Sequence, residues 1–154
     1  MKISECLEKS SVFPELVSTT KLDVLKELSE KIADALPRLN SQKLNEALSE
    51  REDLCSTAIN SGVAVPHVKL LDVASITMAF ARSGAGVDFG SLDGGKTHLF
   101  AIVIAPENCS TETRINLLAR ISVILGRAEV RSKLAESKEA SEIYSLLVEE
   151  DEKN

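Results

Sequence analysis

Residues 98–106 read HLFAIVIAP and are apolar at nearly every position. A strand with one wet face alternates, whereas an uninterrupted run of this length, stopped by a proline, belongs to a central strand covered on both faces. Its core, LFAIVIA, is far too short to cross a bilayer. Covering both faces takes helices on each side, so this one run points to an α/β layer architecture.

The rest of the chain offers those helices. Leu22, Leu25, Leu28, Ile32 and Leu36 recur at spacings of three and four, as on one face of a helix that Pro37 follows. A second helix is expected from Asn40 or Ser41 to Arg51, with Leu44, Ala47 and Leu48 inward. Extending that face by one turn brings Arg51 to the rim of the core. Ile115, Leu118, Ile121, Ser122 and Leu125 mark a third helix, closed by Gly126 and Arg127, and weaker patterns follow around Val130–Leu134 and Ile143–Leu147. Among the strands, VFPELV at 12–17 is broken by Pro14 and suits an edge. ASITMAFA at 74–81 alternates, with Ile76, Met78 and Phe80 on a packed face. The stretch SGAGVDFGSLDGGK at 83–96 reads as turns.

With 154 residues the chain is expected to form a single domain over 1–154, disordered only at its ends, the last few residues included. Its formal charge of −6 and its scarcity of aromatic residues, four Phe and one Tyr, argue against nucleic acid as a partner. Cys6, Cys55 and Cys109 are odd in number and widely spaced, as expected of reduced thiols in a cytoplasmic protein. The polar start MKISECLEKS suggests neither a signal peptide nor a membrane insertion. GAGVDFG at 84–90 has its last glycine one place late for a dinucleotide fingerprint, and DGGK at 93–96 lacks the spacing of a phosphate-cradling loop. Neither histidine has a second metal ligand at a recognised spacing, and no cofactor is expected.

Those two histidines differ in setting. His98 opens the central strand and is expected to hydrogen-bond a strand end. His67 closes the segment GVAVPH, in which Pro66 fixes its own φ, Val65 is pushed toward an extended conformation and Gly62 permits an unusual turn. A neutral imidazole presented from so stiff a segment is a competent nucleophile for phosphoryl groups, provided an acceptor holds its other nitrogen. Phosphoryl transfer otherwise needs position and positive charge. Arg51 is the nearest suitable cation in sequence, its planar fork matched to phosphate oxygens, and Thr57 or Ser56 could add a neutral donor.

The segment SEREDLCSTAINSGVAVPH, residues 49–67, resembles the active-site segment of the IIA phosphocarrier domains of the bacterial phosphoenolpyruvate:sugar phosphotransferase system. The fructose/mannitol type and its nitrogen-regulatory relative are the most similar. The resemblance continues through GAGVDFGSLDGGKTHLFAIVIAP at 84–106 and INLLARISVIL at 115–125. It implies a mixed β-sheet of about five strands flanked by helices on both faces, with His67 accepting a phosphoryl group from an HPr-like carrier protein. It also implies that Arg51 neutralises phosphoryl charge and that Thr57 is the hydrogen-bond donor. The family's second histidine, in a pattern like HLxLLA, is replaced here by Arg114 in RINLLA. A guanidinium can pair with a phosphoryl oxygen but cannot change protonation near neutral pH.

Two functions follow from the resemblance. One is a stand-alone, nitrogen-regulatory-type phosphocarrier that acts on a regulated protein target, and the other is a IIA component delivering phosphate to a fructose/mannitol-type IIB domain for sugar uptake. A catalytically silent binding module is the third, supported only by Arg114.

Overall fold

The computed structural model describes residues 1–154. After a short 3-10 turn the chain runs through β1 (Leu7–Phe13), α1 (Lys21–Ala35), α2 (Ser41–Leu54), β2 (Val63–Ala64), β3 (His67–Leu70), β4 (Thr77–Val87), β5 (Thr97–Pro106), α3 (Thr111–Leu125), α4 (Ala128–Glu136) and α5 (Ala140–Glu152). The strands form one mixed sheet in the order β1-β4-β5, with β2 and β3 following one another along the far side of β5. β4 and β5 are antiparallel, while β1 on β4 and both β2 and β3 on β5 are parallel.

β5 occupies the covered centre that its sequence demands. Leu99, Ala101, Val103 and Ala105 point into one apolar cluster with Leu117 and Ile121 of α3, Leu134 of α4 and Ile143 and Leu147 of α5. Phe100, Ile102 and Ile104 point into the other, with Leu25, Leu28 and Ile32 of α1 and Leu44 and Leu48 of α2. Fully burying each of these large side chains contributes about 1.5–3 kcal/mol. The sheet is therefore a rigid floor against which the ends of α2 and α3 are set.

Four local expectations need correction. Leu22 is 73% exposed, because α1 begins at Lys21 and its first turn overhangs the core. β4 does not stop near Arg82: it continues to Val87 through Ser83-Gly84-Ala85-Gly86, paired irregularly with β5 and helped by Gly86 at φ +84°. The edge strand lies earlier than the 12–17 segment, ending at Phe13 just before Pro14. The inward face of α3 is Leu117, Ile121, Ile124 and Leu125, which leaves Ile115 half exposed.

The expected disorder of the last few residues does not extend to Asp151 and Glu152, which finish α5. Asp151 is buried, accepts the Ile3 backbone N–H at 2.7 Å and pairs with Arg120 at 2.6 Å. No helix is long and apolar enough to cross a membrane.

Candidate functional site

The site is built on a small hairpin laid beside β5. The backbone N–H of Ile59 donates to Val63, Val65 N–H donates to the Thr57 carbonyl at 3.0 Å, and Ala58 bridges Ala64. At its tip Ser61 and Gly62 both have positive φ, 69° and 79°, the turn that Gly62 makes affordable. The returning arm pairs with β5 as β2, crosses Val65 and Pro66, and resumes as β3 in unbroken register: Val63 opposite Leu99, His67 opposite Val103. Pro66 has no N–H to give, yet its carbonyl still accepts from Val103 at 2.9 Å. His67 is thus held at the first position of a strand whose register leaves no slack.

Its ring is held as well. Nδ1 lies 2.8 Å from the Val65 carbonyl oxygen. A carbonyl can only accept, so Nδ1 carries the hydrogen and Nε2 keeps its lone pair. His98, by contrast, sits beside Gly86 with Nδ1 2.9 Å from the Ser83 carbonyl, tying β5 to β4.

The hairpin tip is pinned by the loop after β4. Asp93 accepts from Ser61 N–H at 3.0 Å, Gly95 N–H at 2.9 Å and the Ser91 hydroxyl at 2.7 Å. These donors, led by the Ser61 amide, hold its carboxyl down at about 2, against 3.8 ordinarily. A depressed carboxyl stabilises the folded form above its ordinary pKa and loses that contribution as pH falls from 3.8 toward about 2. The Ser61 and Gly95 amide resonances are expected to titrate together in that window. A midpoint near 3.8 would mean that the pinning is absent in solution.

Around His67 lies an open cleft of about 500 Å³ lined by Arg51, Arg114, Lys69, Glu50, Leu54 and Val68, among others. A smaller hollow that shares His67 and Arg51 with it adds Thr57, Ser56, Leu118 and Ser122. The structure therefore brings together all four residues singled out from the sequence: His67, Arg51, Thr57 and Arg114. Arg51 is in the last turn of α2, where its Nη1 donates to the Cys55 carbonyl at 2.9 Å. It pairs with neither Glu50 nor Asp53 and takes part in no ion pair.

Arg114 is in the first turn of α3, a helix started by the Ser110 side chain accepting Thr113 N–H at 3.1 Å. Its Nη1 is buried without a partner. An unmet buried donor costs about 1–3 kcal/mol.

Thr57 is placed differently from a free donor. It is buried, its N–H lies 3.1 Å from both Glu52 oxygens, and its hydroxyl hydrogen is directed to Glu52 Oε1. Glu52 also pairs with Lys21 at 2.8 Å. The sequence reading passed over Glu52, although Leu44, Leu48 and Glu52 continue one buried stripe at intervals of four. An acid ending such a stripe signals a carboxylate with partners inside.

A mixed sheet with helices on both faces, and a histidine and two guanidiniums meeting in a cleft at its edge, define the class to which this chain is to be compared. Residues 5–150 match the family described as "Phosphoenolpyruvate-dependent sugar phosphotransferase system, EIIA 2", and the chain belongs to that family of phosphotransfer proteins. It is 35% identical over 147 residues to a nitrogen regulatory protein of Bradyrhizobium diazoefficiens, covering 96% of this chain and 95% of that one. It is 36% identical over 152 residues to the fructose-specific EIIABC component of Bacillus subtilis, covering 98% of this chain but only 24% of that longer protein. The nitrogen regulatory protein IIA-Ntr from Neisseria meningitidis superposes with a TM-score of 0.86 at 27% identity, over 94% of this chain and 98% of that one. The mannitol IIA of Escherichia coli, solved in complex with phosphorylated IIB, shares the fold at a TM-score of 0.76 and 19% identity, over 93% and 99%.

Proposed function

We propose that the chain is a phosphocarrier that takes a phosphoryl group from the phosphohistidine of an HPr-like protein onto Nε2 of His67. The observation that carries this reading is the fixed ring: Val65 holds the hydrogen on Nδ1, so the free lone pair is on Nε2, in a residue that lines a cationic cleft. As the Nε2–P bond forms, the donor's N–P bond breaks and its electron pair returns to the donor's ring. The hydrogen stays on Nδ1, donated to the Val65 carbonyl, whose dipole favours the positive charge gathering on the imidazole. Arg51 and Arg114 face the phosphoryl oxygens as fixed cations with no carboxylate to release first.

Thr57 serves as a donor by turning its hydroxyl from Glu52 to a phosphoryl oxygen, a competition that the dianion favours. Leu54, Ile59 and Ile115, apolar and exposed beside the site, offer a dry rim for the carrier's face.

Of the downstream roles, the nitrogen-regulatory type is preferred, because the match to the Bradyrhizobium protein extends over nearly all of both chains. In that role the phosphorylation state of His67 selects the protein that binds. The second reading, delivery to a IIB domain for sugar uptake, draws on the equally high identity to the fructose-specific protein.

The test is intact-mass measurement at alkaline pH after incubation with phosphoenolpyruvate, enzyme I and HPr. One added phosphoryl group is expected. An unchanged mass beside demonstrably phosphorylated HPr would overturn the proposal, and onward transfer to a fructose-type IIB domain would favour the second reading.

A further inference from the structure

Glu52 lines neither hollow around His67, yet it stands at the root of an unbroken chain of contacts that ends on the imidazole. Lys21, the first residue of α1, gives its ammonium to Glu52 Oε2 at 2.8 Å. Both Glu52 oxygens lie 3.1 Å from the Thr57 N–H, and Oε1 also takes the Thr57 hydroxyl. The Thr57 carbonyl accepts Val65 N–H at 3.0 Å, and the Val65 carbonyl accepts His67 Nδ1–H at 2.8 Å. The side chain of Glu52 is 2% exposed, so neither water nor a bound partner can take its place.

The first strand of this hairpin has no sheet neighbour beyond the returning one. Without Glu52 the Thr57 end would be free to shift, and Val65, whose N–H is held by the Thr57 carbonyl and which makes the link between β2 and β3, would lose that one lateral hold on the peptide that faces Nδ1. Lys21 adds a second tether: its ammonium reaches the Phe89 carbonyl at 3.5 Å and lies 4.8 Å over the Phe89 ring, while Ser56 donates to the same carbonyl at 2.6 Å. The Thr57 end of the hairpin and the loop after β4 thus converge on one ion pair, buried at its Glu52 end.

We infer that Glu52, held by Lys21, is the positioning residue of the site: through Thr57 and Val65 it fixes the Nδ1–H tautomer of His67 and so keeps Nε2 nucleophilic. The inference rests on His67 as the phosphoryl acceptor, but its direct readout does not depend on transfer.

That readout is the pair of imidazole ¹⁵N resonances of His67 in the full chain near neutral pH. In the natural protein Nδ1 is expected to resonate as a protonated nitrogen and Nε2 as a bare one, widely separated. In Glu52→Gln, which keeps the size and loses the charge, the two resonances are expected to move toward one another as the tautomers interconvert. Phosphoryl uptake from HPr should slow by roughly tenfold, as when an outer-shell partner of a reactive histidine is removed. Lys21→Met, at the half-exposed end of the pair, should act in the same direction should the Glu52 variant fail to fold.

Asp151→Asn is the control, since it weakens an ion pair far along the chain and should leave both the ¹⁵N separation and the uptake rate unchanged. Wild-type ¹⁵N shifts in the Gln and Met variants, or equal collapse in the Asp151 control, would overturn the inference. A natural protein with separated resonances and no phosphoryl uptake would instead overturn the phosphocarrier reading, leaving the tautomer result to stand by itself.

Discussion

His67→Ala is expected to acquire no phosphoryl group at all, and Arg51→Ala to acquire it about 10²–10³-fold more slowly, the loss typical of one preorganised charge-stabilising donor. The first expectation is absolute because no other side chain in the cleft has a neutral nitrogen lone pair. Lys69 is cationic, both arginines are permanently so, and His98 lies outside the lining, its Nδ1 on the Ser83 carbonyl. The second is graded because Arg114 remains. As the second guanidinium lining the cleft it should carry part of the load, so the double variant Arg51→Ala, Arg114→Ala should lose more than the two single losses multiplied.

Arg51→Lys separates charge from geometry. If a bidentate fork is what the phosphoryl group needs, lysine should recover little of the rate. Quenched-flow transfer from phosphorylated HPr, read by intact mass, checks the whole series. Residual phosphorylation of His67→Ala at the natural rate would move the acceptor elsewhere.

Asp151→Ala should lower the stability of the fold by about 3 kcal/mol, toward the lower end for breaking a buried ion pair because Arg120 can partly reach water. One 1%-exposed carboxylate there satisfies the Ile3 backbone N–H and the Arg120 guanidinium, joining the first residues of the chain to its last helix and to α3. Alanine would orphan both donors. The same change has a chemical signature. The Cys6 thiol is pushed up to about 11, chiefly by burial and next by the charge of Asp151. Removing that charge should lower its pKa and quicken its alkylation in the folded state. Chemical denaturation measures the first effect and thiol labelling the second; a midpoint shift worth under about 1 kcal/mol would show that the contact contributes nothing beyond an exposed pair.

Where the hydrophobic signal was one-sided, the sequence was a good guide. β5 and the α2 stripe of Leu44 and Leu48 lie as their spacing predicts, and the helix from Lys21 to Ala35 differs at its two ends, where Leu22 is exposed and Leu36 is the non-helical C-cap. Elsewhere two signals competed. From Ile115 to Leu125, apolar residues fall on most sides of α3, so the stripe through Ile115, Leu118 and Ser122 was as legible as the one through Leu117, Ile121 and Ile124. Only packing against the sheet chooses between them. The end of β4 was hidden because Ser-Gly-Ala-Gly has little strand propensity, and its extended form is imposed by pairing with β5.

The candidate site shows the same division. His67, Arg51, Thr57 and Arg114 could be named because their chemistry is visible in their side chains. Glu52 discloses only its burial, as the end of the Leu44 and Leu48 stripe; its place in the site stays hidden, since its partners are a lysine 31 residues earlier and the backbone of a hairpin whose path no local pattern discloses.

The cleft draws on the end of α2, the start of β3 and the start of α3, and β3 takes its parallel register from β5, some three dozen residues later in the chain. No fragment can therefore own the site. In the phosphocarrier reading, a partly folded molecule would be invisible to its donor, and the fraction of chains that take up a phosphoryl group would serve as a census of those that have completed the sheet.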